Sequence, residues 1–174
     1  MPDVIANTVE DVCELWLSRV KAALEACGSS DPIDASYVAA GLIAWDSCCG
    51  LLVVGPERVY RSAAFPVEGT TDYECETAMI VVDIVVLLLR CVPTLDDRGK
   101  APTPAALSAA HGKVLNDAAI IWNTVTDELP EGWQRSNVDQ GFVGATGGCV
   151  GIETRLSIGL AQDAWCPLCV EHHD

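Results

Sequence analysis

Residues 75–91 of the chain, CETAMIVVDIVVLLLRC, decide the fold. They form an apolar run rich in Val, Ile and Leu, with one acidic interruption at Asp83. Branched side chains of this kind favour a β-strand over a helix. At about 3.3 Å per residue the strand would extend roughly 50 Å, so we expect it to project beyond its own domain or to bend at a bulge. Its most apolar part, residues 79–89, is far shorter than the roughly 20 residues that span a bilayer.

Shorter β-prone segments lie on both sides of this run. Residues 50–55 and 58–61 are separated by Gly55-Pro56-Glu57, which predicts two strands with a hairpin-like connection. Residues 149–160 alternate apolar and polar side chains, which is typical of a strand with one buried face and one solvated face.

Two helices are predicted from three- and four-residue apolar spacing. The first follows an apolar stripe from Val9 to Cys27 and ends at Gly28. The second begins at Pro104 and stops near Leu129, because proline is favoured in a first helical turn. Its predicted apolar side comprises Leu107, His111, Val114, Leu115, Ala118, Ile121, Trp122 and Val125.

The remaining segments are predicted to be irregular. Residues 35–45 are predicted to form a short helical or irregular segment, and residues 93–104 a polar connector. A loop through Trp133 and the glycine-rich residues 141–148 is predicted before the last strand. The order helix, β, β, β, helix, β predicts an α+β domain with a mainly antiparallel sheet and helices packed on one face. We expect one domain over residues 1–160 and a C-terminal tail over 161–174.

Composition narrows the class of protein further. The 174 residues carry 25 Asp plus Glu against 10 Lys plus Arg, a net charge of −15, and half of them are hydrophobic. That balance argues against a disordered chain and against a basic nucleic-acid-binding surface. It suggests apolar surface buried against other subunits. Met1-Pro2-Asp3 opens an acidic stretch without a targeting pattern, so we expect a cytoplasmic, soluble protein.

Nine cysteines are an odd count that cannot all pair within one chain. In a reducing compartment we expect most of them to be buried free thiols, and a disulfide between the neighbours Cys48 and Cys49 would be strained. A second group near the C-terminus combines a CxxC motif with a histidine pair. Zinc ligation, a local disulfide and a frayed tail with no special role all stay open for it. Its members are Cys166, Cys169, His172 and His173.

Three further features resemble sites of catalysis or binding, and each has a simpler interpretation. His111 is expected to be a packed core histidine, and Asp96 and Asp97 to form a solvated turn rather than a magnesium site. The glycines of residues 144–151, GATGGCVG, enter a strand rather than a helix, which indicates a flexible loop or bulge instead of a phosphate loop. We therefore assign no catalytic, cofactor-binding or metal-binding residues and expect a protein that is not an enzyme.

Several short motifs resemble neck proteins of long-tailed phages that infect actinobacteria. Residues 45–54, WDSCCGLLVV, resemble the WDxCCGxL segment of that family. Residues 90–104 resemble its RCxP…DDxGxxPTP connector through Arg90-Cys91-Val92-Pro93, Asp96-Asp97-Arg98-Gly99 and Pro102-Thr103-Pro104. Its remaining landmarks are matched by residues 116–119, NDAA, and 147–153, GGCVGIE. The matches cover roughly residues 40–160 in the expected order.

The resemblance implies a tail terminator or head-to-tail connector of the virion neck, assembled in the host cytoplasm. Such proteins pack helices on a small sheet and form a ring, usually hexameric. The ring stops polymerisation of the tail tube protein and joins the tube to the head-side stopper or connector protein. DNA passes through its lumen without specific binding, no membrane is involved, and there are no catalytic residues to transfer.

Two other functions remain open from the sequence. One is a stopper or adaptor ring of the same neck, and the other is a small cytoplasmic zinc-binding or thiol protein that uses the C-terminal Cys/His group. Within a ring, the strand over 75–91 and its hairpin partners would form intersubunit or tube-facing β structure, and residues 94–103 would reach a neighbour or a partner ring. Six copies at −15 each would carry −90, and acidic groups facing the lumen would repel DNA phosphates.

Overall fold

A computed structural model of the protein describes residues 9–29, 31–41, 49–69, 79–146 and 148–160, with the side chains of 145 and 146 excepted. Two helices and five strands follow one another in this part of the chain. They are α1 (Val9–Ala26), β1 (Ala35–Val38), β2 (Leu51–Ser62), β3 (Met79–Cys91), α2 (Pro104–Thr126), β4 (Gln134–Thr146) and β5 (Cys149–Leu160).

The five strands form one sheet in the order β1-β2-β3-β5-β4. Only the β1–β2 pair is parallel, and the other three pairs are antiparallel. Both helices pack on one face, which we call the helix face. The predicted α+β class and element order are confirmed, with two strands in place of one after α2.

The central strand β3 is paired along its described length. Its neighbour β2 runs in register from Leu51 opposite Leu89 to Ser62 opposite Met79, and β5 pairs with β3 from Ile80 to Cys91. The described part of β3 therefore does not project from the domain, because strands of 12 residues flank it on both sides. Residues 75–78 of the predicted strand lie outside the described residues.

The main core lies between the helix face and the two helices. Trp16 of α1, Ile84 of β3 and Ile121 of α2 are fully buried there. Burial of a large apolar side chain stabilises a fold by about 1.5–3 kcal/mol, so this layer is the main source of stability. From α1 the core takes Val12, Cys13, Trp16, Leu17, Val20 and Leu24, which confirms the predicted stripe except at its end, where Cys27 is exposed.

A smaller apolar cluster lies on the opposite side of the sheet, which we call the second face. It consists of Leu51, Val53, Leu87 and Leu89, with Ala39, Val143 and Cys149 packed against it. The cluster occupies the end of the sheet where β3 finishes and β5 begins, so both faces of that end are buried. The predicted solvated face of β5 is therefore only partly solvated: Arg155 is exposed, whereas Gly151 and Ser157 are buried.

The predicted hairpin over residues 50–61 is wrong. Both segments belong to the single strand β2, and the connection between them is a bulge between Pro56 and Arg58. Gly55 allows a close approach at this point, since a Cβ there would lie 2.0 Å from the carbonyl oxygen of Ala39. Proline is tolerated at a bulge because the ladder is interrupted there. The preceding piece is also corrected, because Ala35–Val38 is a strand, while 42–48 lie outside the described residues.

The predicted loop through residues 141–148 is wrong as well. Residues 134–146 form β4, a 13-residue strand at the edge of the described sheet. Two register shifts interrupt it, and the first contains Asn137 with a φ of 51°. An edge strand pairs on one side only, so it folds with polar and glycine residues that would weaken a central strand. The second shift, between Val143 and Thr146, is the bulge that the glycine pattern predicted.

The second helix begins where the sequence predicts. The Thr103 side-chain oxygen accepts a hydrogen bond from the Ala106 backbone N–H at 3.2 Å, and Pro104 stands in the first turn. The helix ends at Thr126, three residues before the predicted stop. Three members of its predicted apolar side, His111, Leu115 and Trp122, are exposed, because Val114, Ala118, Ile121 and Val125 are the residues that face the sheet.

Candidate assembly surfaces

A buried ion pair connects the end of β3 to the middle of α2. Arg90 donates from Nε to Asp117 Oδ2 at 2.9 Å, and the two residues are 2% and 1% exposed. The same guanidinium donates to the Pro32 carbonyl oxygen at 2.8 Å and to Ser29 Oγ at 2.7 Å. A buried charge needs such partners, since an unpaired one costs several kcal/mol. Arg90 therefore fastens the segment after α1 to the sheet and to α2.

A disulfide lies beside this ion pair. Cys49, two residues before β2, is bonded to Cys91 at the end of β3, with their Cα atoms 4.8 Å apart. Cys149 at the start of β5 is also disulfide-bonded and is the register partner of Cys91. The prediction that most cysteines are free thiols is wrong for these three. The sheet register brings them to one end of three adjacent strands, which chain positions so far apart do not reveal.

Two other cysteines in the described residues are free. Cys13 lies on the core-facing side of α1 and is buried, as predicted, whereas Cys27 is exposed. Burial, together with the nearby Glu14 carboxylate, raises the pKa of the Cys13 thiol to about 12. Cys13 is therefore a protonated core side chain at neutral pH.

Four of the short segments singled out by the sequence analysis meet at this end of the sheet. Cys49 comes from the first motif, Arg90 and Cys91 from the connector, Asp117 from the helix motif and Cys149 from the glycine motif. The Gly148 carbonyl oxygen accepts a hydrogen bond from the Val92 backbone N–H at 2.9 Å. A cavity of about 600 Å³ opens beside them, lined by Arg90, Cys91, Pro93 and the first half of α2. We call this group of residues the motif cluster. Its contacts are an ion pair, a disulfide and hydrogen bonds, and they hold the fold together.

Charged side chains form a ladder across the middle of the second face. The Asp83 carboxylate accepts from Arg58 Nε at 2.9 Å and from Ser157 Oγ at 2.6 Å. Arg58 also pairs with Glu68 at 2.8 Å and lies over the Tyr60 ring, 4.4 Å from its centroid. The hydrogen bond to Asp83 raises the pKa of Arg58, and burial raises the pKa of the Tyr60 phenol. Asp83 is thus a partnered charge among the apolar residues in the middle of β3.

The ladder continues on β5. Arg155 pairs with Glu57 at 3.2 Å and also with Glu153. With Glu68 and Asp83, four carboxylates share two guanidinium groups, so the ladder is net acidic. A cavity of about 400 Å³ lies between Asp83, Arg155 and the first bulge of β4.

The outward side of α2 has a different character. Seven exposed residues follow one another at alternating spacings of three and four and carry no charged side chain. They are Ala105, Ser108, Gly112, Leu115, Ala119, Trp122 and Thr126, which we call the neutral stripe. The charged residues of α2 point elsewhere: Lys113 pairs with Asp31 at 2.8 Å, and Asp117 is buried against Arg90.

The other residues that the sequence singled out as candidate sites lie neither in the motif cluster nor in the charged ladder. His111 is exposed on α2 instead of packed in the core. Asp96 forms the predicted solvated turn, where its Oδ1 accepts from the backbone N–H groups of Arg98 and Lys100 at 2.9 Å each. The Cys/His group of residues 166–173 and the neighbour Cys48 lie outside the described residues. Within the part of the chain that the structure describes, no three His, Cys, Asp or Glu side chains are grouped to hold a metal ion.

The Arg90–Asp117 pair is the feature that sequence reasoning missed. A signal for it exists, since Arg90 directly follows the apolar residues 84–89 and Asp117 stands among the sheet-facing residues of α2. Two opposite charges at core-facing positions predict a buried pair when both are noticed together.

Comparison with known proteins adds no identification. No protein-family model matches the chain, and a search of curated proteins gives no match. Among the described helices, none combines the length and apolar character needed to cross a membrane.

Proposed function

We propose that the protein is a structural component of the neck of a long-tailed phage, and specifically the tail terminator. In this role a ring of identical subunits, six by family resemblance, caps the tail tube, stops its polymerisation and joins it to the head-side connector. The observation that carries the proposal is the motif cluster. Segments that resemble the phage family in sequence also contact one another in the fold, through Arg90–Asp117 and Cys49–Cys91.

The arrangement of the sheet suits a ring subunit. β1 and β4 lie at opposite edges of the described sheet, so subunits joined edge to edge would turn one face of every sheet toward the channel. The second face carries the acidic ladder of Glu57, Glu68, Asp83 and Glu153, partly neutralised by two arginines. We assign this face to the channel, where its carboxylates would keep DNA phosphates from adhering.

Deletion of the gene from the phage genome tests this role. A terminator stops tube growth, so its loss is expected to give overlong tails detached from heads in electron micrographs of lysates. Loss of a stopper or adaptor, the alternative ring of the same neck, would instead give filled heads without tails beside tails of normal length. Supply of the wild-type gene in trans is the control. Normal virions after deletion would contradict both roles.

A further inference from the structure

We propose that copies of this chain associate head to tail, with the neutral stripe of one copy seated in a groove at the opposite sheet edge of the next copy. This inference deepens the proposed function, because it names the contact that would build the ring. It depends on the placement of two complementary surfaces at the two ends of one sheet.

The first surface combines the neutral stripe with the edge strand β4. Gln140 Nε2 donates to the Ala118 carbonyl oxygen at 3.1 Å, so α2 rests against β4. Phe142 follows two residues later on the same side of β4 and is 58% exposed. Leu115 and Trp122 project from the stripe at 59% and 40% exposure, with Ala119 between them. These side chains make a convex, apolar ridge beside an edge strand.

The second surface is a groove of about 760 Å³ between α1 and β1. Val9 and Leu17 of α1 line one side, Val38 and Pro56 line the other, and exposed Ala40 lies at its end. Its volume is enough for aromatic side chains of the size of Trp122 and Phe142. Because β1 and β4 lie at opposite edges of the described sheet, a ridge-to-groove contact is heterologous, and repetition of such a contact closes a ring or extends a filament.

Charge favours a second copy of this chain as the occupant. Each subunit carries −15, so contact between two charged surfaces would usually bring carboxylates together. The groove itself carries Glu10 and Glu14. The neutral stripe brings no carboxylate to them, and therefore it can approach the groove without like-charge repulsion. Two stripes packed on each other would avoid repulsion too, but they would match convex against convex and would stop at a dimer.

Mixing of two single variants of the full chain tests the contact. Trp122→Glu places a carboxylate on the ridge, and Ala40→Glu places one in the groove. We expect each variant to be monomeric by native mass spectrometry, with association weakened at least about 30-fold, as for loss of an interface hot spot. An equimolar mixture should form one-to-one heterodimers and nothing larger, because one intact ridge meets one intact groove.

Val67→Glu is the matched control, since Val67 is 67% exposed, lies outside both surfaces and receives the same charge. It should assemble like the wild type. Circular dichroism confirms folding, and Leu115→Glu and Ser36→Glu replace any variant that does not fold. The head-to-tail contact would be overturned if Trp122→Glu assembled like the wild type or if the mixture stayed monomeric. Neither outcome would contradict the proposal of a ring. A monomeric wild type would contradict the ring as well.

Discussion

The Arg90–Asp117 pair is the residue-level feature with the largest expected effect on stability. Both groups are buried, and Asp117 Oδ1 has no hydrogen-bond partner in the described structure. The pair thus depends on the single bond through Oδ2 and on the guanidinium's contacts to Pro32 and Ser29. A pair of this kind is strongly sensitive to the loss of one partner, whatever its own net contribution.

Asp117→Asn is therefore expected to lower the free energy of unfolding by about 3–5 kcal/mol, since it leaves the buried Arg90 charge uncompensated. Urea denaturation followed by circular dichroism measures the change. Asp31→Asn is the control, because it removes the exposed partner of Lys113 and should cost no more than about 1 kcal/mol. Equal losses of unfolding free energy in the two variants would show that the buried Arg90–Asp117 pair matters no more for stability than the exposed Lys113–Asp31 pair.

At the level of elements, the disulfide ties the start of β2 to the end of β3 across 42 residues. Closure of a loop of that length restricts the unfolded chain and stabilises the fold by about 4 kcal/mol in the chain-entropy view. The bond also holds together two of the segments that resemble the phage motifs. The disulfide lies beside the hydrogen bonds of the Arg90 guanidinium, so two independent links secure the same end of the sheet.

Cys49→Ala is expected to reduce the free energy of unfolding by about 2–4 kcal/mol under non-reducing conditions. Cys27→Ala, at an exposed free cysteine, should leave it nearly unchanged. Dithiothreitol should lower the stability of the wild type to that of the reduced variant, and it should also lower that of the variant, because Cys149 is disulfide-bonded too. A wild type with the same stability before and after reduction would refute a stabilising role for the bond.

The elements with strong periodic patterns were predictable from sequence. α1 and β5 follow the expected apolar spacings, and α2 begins at its expected proline, because burial on one face dictates those patterns. β1 and β4 were missed, since edge strands are paired on one side and carry too few apolar residues to show a period. β2 was split in two because a glycine and a proline at a bulge look like a turn.

The candidate surfaces were less predictable than the fold. The spacing of α2 assigned Leu115 and Trp122 to the core, because apolar character alone does not separate a buried face from an exposed one. The cysteine pairing depends on the register of β2, β3 and β5, which is set by contacts far apart in the chain. Sequence reasoning supplied the members of the motif cluster through resemblance, and the structure shows that they are neighbours.

At the scale of the molecule, the described sheet differs between its two faces. One face carries the apolar core under the two helices, and the second face carries the acidic ladder. The net charge of −15 is not spread evenly, since the neutral stripe is free of charged side chains. In the proposed assembly, an uncharged ridge at one edge of the described sheet would meet a groove at the other edge, which carries Glu10 and Glu14. In the proposed ring, the angle between neighbouring subunits would set the subunit number, because the angles of a closed ring add up to one full turn.

Imaging of the purified full chain tests whether the protein forms this ring. Negative-stain micrographs should show closed rings of uniform size with a central channel, and class averages should reveal rotational symmetry, expected to be sixfold from the resemblance. Trp122→Glu imaged beside the wild type shows whether the ridge is needed. Rings in the wild type agree with the proposed neck protein that surrounds DNA, whereas single subunits at every protein concentration imaged would refute the proposal.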